Sequence, residues 1–522
     1  MASNEQKGRV PSSEAAEKER LLKHEEAAKA LGKPIYDDMT GGWTQPLLLA
    51  VASAAIGGSF QFGYHIGCVN VPAKIIKLWM IDSHKKLFDE TLTLDEIGRV
   101  QWAIAVGIFA VGGMIGGLGS GKMADWLGRK GAMAFNNVVA VLAAVLMTLA
   151  YYVNVYPLLI VGRLVIGINS GLSSGLVPMY LTEISPVNLR GSLGSVAQLL
   201  VTIGILFSQI IGLPQLLGST TLWPMIFGFT VVPVVFQIAT LPMIPESPKY
   251  SLIVRDRAEQ AEEDLKKLRG KDNVKAEIDL MKEEQAKINA VPKMGIFDLF
   301  RGNLLWPMTI AILMMLAQQF SGINVAMFFS TMIFEGAGLG ENAVYATLVM
   351  GLINVLMTVI SVYLVDHPKC GRVMLLMIGL IGMFFASIAI VIFISVYTSD
   401  QINNKWASYP ACLFVFLFVI FFATGPGSIP WFFVSELFSS GARGAANSVA
   451  AATNWTANFL VGTSFEFLNQ MLHQYTFLIF SGFLAFFAFF TWMYVPETKG
   501  RTVEDIQDEL SRGKSRFARN AA

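Results

Sequence analysis

The chain has 522 residues, 54% of them apolar and only 15% charged, with a formal net charge of +1 and a mean hydropathy of +0.53. A soluble protein carries about 25% charged residues, so a wholly water-facing globule is excluded. The net charge argues neither for nor against nucleic acid, which is not an expected partner. Three cysteines, Cys68, Cys370 and Cys412, make an odd count with no metal spacing and read as structural thiols.

About 45 polar residues come first. They lack the basic start and early apolar segment of a secretory signal, so the first membrane helix is expected to direct insertion. Glu17-Lys-Glu-Arg-Leu21-Leu22 has the pattern of an acidic dileucine sorting signal, which is common by chance. Apolar stretches near the ~20 residues that cross a bilayer follow at 46–66, 99–121, 131–153, 157–180, 192–213, 223–244, 304–334, 342–365, 372–397, 408–436, 443–467 and 474–495. A single run would suit a buried core helix. Twelve, with so few interior charges, predict an all-α membrane protein of twelve transmembrane helices. The one Asn-x-Thr site, Asn454, falls inside a predicted span, so N-glycosylation is not expected.

Short loops with Lys122, Arg129, Lys130, Arg190, Lys369, Arg372 and Arg443 alternate with loops at 153–157, 213–222 and 335–341 that hold no Lys or Arg. By the positive-inside rule the basic set and both termini face the cytoplasm. The loop at 67–98, with Lys74, Lys77, Lys85 and Lys86, is the exception, and it also holds several acids. Residues 246–303 are polar, with opposite charges interleaved among Ala and Leu at helical spacing, which predicts short amphipathic helices on the cytoplasmic face. The implied division is a tail 1–45, six helices in 46–245, a helical loop 246–303, six helices in 304–496 and a tail 497–522.

The halves echo one another. Pro178 to Glu183, then Arg190-Gly191, is matched by Pro430 to Glu436, then Arg443-Gly444. Pro245-Glu246-Ser247 is matched by Pro496-Glu497-Thr498, and Asp125 with Gly128-Arg129 by Asp366 with Gly371-Arg372. Three marker pairs in one order, each offset by roughly 250 residues, indicate two related six-helix bundles. Parallel halves of this kind hold substrate at the midplane between them.

The motifs GKMADWLGRKG (121–131), VGRLVIG (161–167), PESPKY (245–250), QQFSGIN (318–324), GPGSIPW (425–431) and VPETKGR (495–501) together resemble the sugar porters of the major facilitator superfamily, and among them the animal facilitative glucose transporters. The likeness covers roughly 46–505. It implies facilitative uniport of a hexose by alternating access, a plasma-membrane location (an endosomal membrane being the alternative), no cofactor, no metal, no enzymatic activity and a monomeric functional unit. Among the charges, Asp125, Arg129, Glu183, Arg190, Asp366, Arg372, Glu436 and Arg443 sit at cytoplasmic helix ends. Each has the bland reading of a headgroup anchor. The resemblance implies instead a salt-bridge gate between the halves, made when the inner side closes and broken when it opens.

Uncharged amides recur inside the apolar runs: Gln198, Gln318, Gln319, Asn324, Asn354, Asn454 and Asn458. An amide donates and accepts, as a sugar hydroxyl does, and polar groups at membrane depth are costly unless they face the interior. Asn454 and Asn458 share a face at i,i+4 spacing; Gln318 and Asn324 share one only if Ser321-Gly322 breaks the helix. The bland reading of each amide is helix–helix glue. By resemblance, Gln198, Gln318, Gln319, Asn324, Asn354, Trp431 and Asn458 match hexose-contacting positions, with Trp431 offering a flat face to the ring. Three positions depart from the glucose-transporter pattern: Ala423 stands where Glu is usual, Met315-Leu316-Ala317 where many glucose-selective members have Gln-Leu-Ser, and Phe328-Phe329 where they have paired tyrosines. The first two resemble fructose-accepting members, whereas Trp431 resembles glucose carriers, so glucose is the first expectation and fructose the second.

Two alternatives remain. A proton-coupled symporter needs a titratable group in the path. His65 stands where coupled relatives have Asp and passive ones Asn, so it is either a pore-lining or packed imidazole or the proton site. Arg163 lies near the partner position. A non-transporting sugar sensor is disfavoured by the ~20 residues after Arg501, since such sensors carry long tails.

Overall fold

The computed structural model describes residues 41–290, 294–367, 369–499, 501, 503–513 and 515–516. The sorting-signal pattern at Glu17–Leu22 lies outside the described residues, and so do the side chains of Arg190 and Asp366. The described residues are helical, with no strand among them.

The first apolar run begins where Thr44 accepts a hydrogen bond from the Leu47 amide, an N-cap with proline in the first turn. It forms α1 (Gln45–Ala54), a π-helical turn over Ala55–Phe60, and α2 (Gln61–Gly67). Next come α3 (Ala73–Phe88), α4 (Ala103–Val153), α5 (Tyr156–Ile184), α6 (Arg190–Ile211), α7 (Pro224–Gly228) and α8 (Val231–Thr240). Helix α4 holds 51 residues only because it runs through a turn at Gly128, where φ is +82°. A β-carbon there would also lie 2.7 Å from a Glu246 carboxylate oxygen, so glycine is required twice over.

The polar segment folds as α9 (Ala258–Arg269) and α10 (Lys275–Ala290). Gly270, at φ +63°, ends α9. Arg269 pairs with Glu277 at 2.9 Å, both almost fully buried, and also donates to the Ile184 carbonyl at 2.8 Å. The Thr44 hydroxyl donates to the Leu268 carbonyl. A small apolar cluster of Leu47, Tyr180, Ile184, Leu241 and Leu268 completes this joint. The pair α9–α10 is thereby fixed to the base of the first helical set; the side bearing it is called the inner side below.

The second set contains α11 (Leu305–Phe320), α12 (Ile323–Gly336), α13 (Ala343–Asp366), α14 (Arg372–Ser399), α15 (Ser408–Thr424), α16 (Ile429–Leu437), α17 (Ser440–Leu472) and α18 (Thr476–Tyr494), and α19 (Val503–Arg512) follows it. Nine helical stretches among the described residues are long and apolar enough to cross a membrane. Two of them, Leu94–Val153 and Gly441–Tyr494, have 60 and 54 residues, room for two crossings each. The run expected as one helix over 223–244 is instead α7 and α8, split at Phe229–Thr230.

Val138, Leu142, Val145 and Leu149 are exposed along one stripe of α4, as a helix facing hydrocarbon presents. Where α4 meets α5 the contact is backbone on backbone. A β-carbon on Gly112 or Gly116 would collide with the carbonyls of Leu164 or Ile168, and one on Gly167 or Gly171 with those of Phe109 or Gly113. Glycines four apart allow this close approach, which a membrane helix pair uses in place of hydrophobic drive.

Candidate substrate site and inner charge clusters

Two helix breaks build the centre. Gly322 adopts φ +89° between α11 and α12, so the Ser321-Gly322 break expected from sequence is present. Opposite it, α15 stops at Thr424 and Gly425-Pro426-Gly427 leaves carbonyls without helical partners. Gln318 reaches across and donates to the carbonyls of Pro426 (3.0 Å) and Gly427 (2.7 Å). Its own oxygen accepts from Asn454 at 2.7 Å, and Gln319 donates to the Asn454 oxygen at 3.0 Å. Asn324 closes the chain by donating to Gln319. Four buried amides thus satisfy one another and the broken backbone, with no fixed charge among them.

Of the expected hexose-contacting residues, the structure joins Gln318, Gln319 and Asn324 in this network. Asn454 enters it, not Asn458, which is half-buried one turn further on. The i,i+4 spacing pointed to both, and the break at Gly322 selects the nearer. Asn354 is buried on α13, while Gln198 on α6 and Trp431 on α16 are exposed; no hydrogen bond brings any of these three into the network. Ala423, Phe328 and Phe329 are all buried.

His65 does not line open space. It is fully buried, with Nε2 2.9 Å from the Thr230 hydroxyl and Nδ1 3.8 Å from the Cys68 sulfur. Arg163, itself buried over the Phe109 ring, donates to the His65 carbonyl at 3.0 Å. Among the described residues no carboxylate is bonded to this group.

On the inner side the repeated markers fold into two copies of one arrangement. In the first, Arg129 grips Glu183 with two hydrogen bonds of 2.8 and 2.7 Å, a bidentate pair of the strong kind. Ser247 donates to the same carboxylate. Glu246 accepts the backbone amides of Arg129 (3.2 Å), Lys130 (3.2 Å) and Ser247 (2.8 Å). In the second, Arg372 donates to Glu436 at 3.2 Å and Thr498 donates to Glu436. Glu497 accepts the amides of Arg372 (2.8 Å) and Val373 (3.1 Å). Burial raises the Glu246 carboxyl above its ordinary value, partly opposed by the amides it accepts.

These pairs join helices of one set, not of opposite sets. No hydrogen bond or ion pair links Asp125, Arg129 or Glu183 to Arg372, Glu436 or Arg443. Among the described side chains, no ion pair of the expected latch between halves is present in this conformation. Asp125 is exposed, 3.4 Å from Arg129. Arg443 is exposed and donates to the Phe438 carbonyl. Arg190 opens α6 and Asp366 closes α13. Glu246, Ser247, Glu497 and Thr498 were visible in the sequence only as repeat markers. Their recurrence in the same order after each Arg–Glu pair, about 250 residues apart, is the signal that they act with them.

Contacts between the sets concentrate at mid-depth and on the side away from α9–α10. Trp455 packs on Gly113 and on Phe62. Further out, Asn70 donates to the Met327 carbonyl and the Ser330 hydroxyl, Lys77 pairs with Glu466, and Gln470 bonds Arg99 and the Asp95 carbonyl. Toward the inner side, a β-carbon on Gly119, Gly121 or Gly444 would meet nothing within 4 Å.

The family described as "Sugar (and other) transporter" matches residues 50–510. Facilitated glucose transporter protein 1 of Caenorhabditis elegans is 59% identical over 459 residues, 87% of this chain and 89% of that one. Facilitated glucose transporter member 1 of Gallus gallus is 43% identical, with 90% and 94% covered. Among solved structures, a partially occluded inward-open conformation of the xylose transporter XylE from E. coli superposes with a TM-score of 0.72 at 25% identity, covering 88% of this chain and 100% of that one.

Proposed function

The chain belongs to the sugar transporter family, and from that premise we propose that it is a facilitative uniporter of hexose, D-glucose first and fructose second, working by alternating access. One observation carries the reading: four mutually satisfied amides, without fixed charge, three on the broken α11–α12 and one on α17, facing the carbonyls of the second break. An entering sugar exchanges hydroxyls for those amide contacts one for one, which suits a neutral polyol and not an ion. Gln198, Asn354, Trp431 and Asn458 complete the binding surface in this reading. The relatives named as facilitated glucose transporters support it.

Twelve crossings follow if the two longest stretches each cross twice and Pro224–Thr240, itself short, crosses once. The side bearing α9, α10 and α19 is then cytoplasmic, the plasma membrane is the site of action, and the unit of transport is a single chain. When the inner mouth closes, the clusters around Arg129 and Arg372 approach one another and share partners across the halves, together with Arg190, Asp366 and Arg443. An exposed pair is worth about 0–1 kcal/mol; partly buried pairs gain more, but dehydration offsets much of that gain, which keeps two states close in energy, as a carrier requires.

A symporter reading would rest on His65, whose ring nitrogens already face Thr230 and Cys68. The deciding experiment is uptake of labelled glucose and fructose by transporter-deficient cells at two pH values, with external pH recorded, for the native protein and His65→Asn. Saturable uptake without external alkalinisation, retained by the variant, is expected. Proton movement matched to sugar, lost with His65, would establish symport; binding without flux would establish a sensor.

A further inference from the structure

An ion pair on the outer side has no counterpart in the inner clusters. Lys77, on α3, meets Glu466, on α17, at 2.6 Å. The residues are 389 apart in sequence and belong to opposite helical sets. Their side chains are only 10% and 6% exposed. The Lys77 ammonium lies 5.8 Å from the centre of the buried Trp102 ring. Gly98 closes over the pair: a β-carbon there would sit 2.7 Å from the Glu466 oxygen and 3.4 Å from the Lys77 nitrogen. The second Glu466 oxygen is buried without a hydrogen-bond partner.

We propose that Lys77 and Glu466 are the latch of the outer mouth, a buried pair that exists only while that mouth is shut. Each charge is desolvated, and each depends on the other for compensation. When the sets part on the outer side both charges regain water, so opening exchanges one ionic contact for two hydration shells and the two states stay close. Removing one partner abolishes that balance. The remaining charge is then stranded in the shut state and hydrated in the open one, so the population moves toward outer-open. The latch rests on the alternating-access reading above.

The test uses full-length protein in liposomes with its three cysteines replaced and spin labels at Leu94 and Tyr475. These are exposed positions on the outer ends of opposite sets. The distance distribution between them reports the outer mouth. Lys77→Met and Glu466→Gln are each expected to raise the long-distance population about tenfold. The swap Lys77→Glu with Glu466→Lys, which keeps both charges, is expected to restore the native distribution and separates lost pairing from lost folding. A native distribution in both single variants, or a swap that behaves like them, overturns the latch. A shift as expected in a protein that moves no hexose would keep the latch and overturn the transport reading instead.

Discussion

Gln318 joins the amide network to the broken helix. It satisfies two carbonyls freed by the Gly425-Pro426-Gly427 break and accepts from Asn454. Gln318→Leu therefore strips a donor from the broken helix and from any sugar at once. A hydrogen bond lost from a buried site costs about 1–3 kcal/mol, so hexose uptake should fall roughly tenfold or more while the protein still reaches the membrane, as surface labelling and zero-trans uptake would show. Unchanged uptake would remove the amide network from the substrate path. Glu246 makes a different prediction. Burial raises its carboxyl in the folded protein, so the folded state holds that proton more tightly than the unfolded chain. Its contribution to stability is present below the ordinary value near 4.5 and is lost as pH rises through the higher folded value. Melting temperatures measured upward from pH 4.5 should show this loss in the native protein, and Glu246→Gln should flatten it. A slope unchanged by the substitution would mean that another group sets it.

At the scale of elements, the breaks matter more than the helices. Gly322 combines φ +89° with a Phe480 ring 2.8 Å from where a β-carbon would stand. Gly322→Ala incurs the left-handed penalty of about 1–2 kcal/mol and pushes Phe480 away. Its melting temperature in detergent should drop by about 1–2 °C, and uptake should drop with it because Gln319 and Asn324 flank the turn; a variant as stable as the native chain would show that the turn tolerates a side chain. The same features explain what the sequence could and could not reveal. Apolar run length disclosed the spans, and Ser321-Gly322 and Gly-Pro-Gly disclosed the breaks, since both signals are local. Whether Asn454 or Asn458 joins the network is decided by how far the broken α11 approaches α17, a tertiary distance that no spacing encodes. The split of 223–244 into α7 and α8 was hidden for a related reason: a continuous apolar run looks the same whether or not its helix is interrupted. The inner charges were legible as a set but not as pairs, because partner choice depends on which conformation the sets adopt.

At the scale of the whole molecule, the duplicated wiring predicts equivalent responses from sites about 250 residues apart. Arg129–Glu183 ties α4 to α5, and Arg372–Glu436 ties α14 to α16, each braced by the carboxylate and hydroxyl that follow the last helix of its set. Glu183→Gln leaves Arg129 with only the exposed Asp125 at 3.4 Å, and Glu436→Gln removes the anion that Arg372 pairs with. Breaking a fully buried pair costs about 3–5 kcal/mol, and an exposed one far less. The first pair is bidentate with side chains 8% and 12% exposed; the second is a single 3.2 Å contact with 13% and 27%. Both variants should lower melting temperature and uptake in the same direction, Glu183→Gln by more. The mechanism adds a constraint. If the clusters also meet across the halves when the inner mouth closes, each variant weakens that closed state as well as its own set. Spin labels on the inner ends of α5 and α16 should then report a larger inner-open population in both. Opposite shifts from the two variants would mean that the repeated residues no longer share a role, and the symmetry of the wiring would be inherited form without common function.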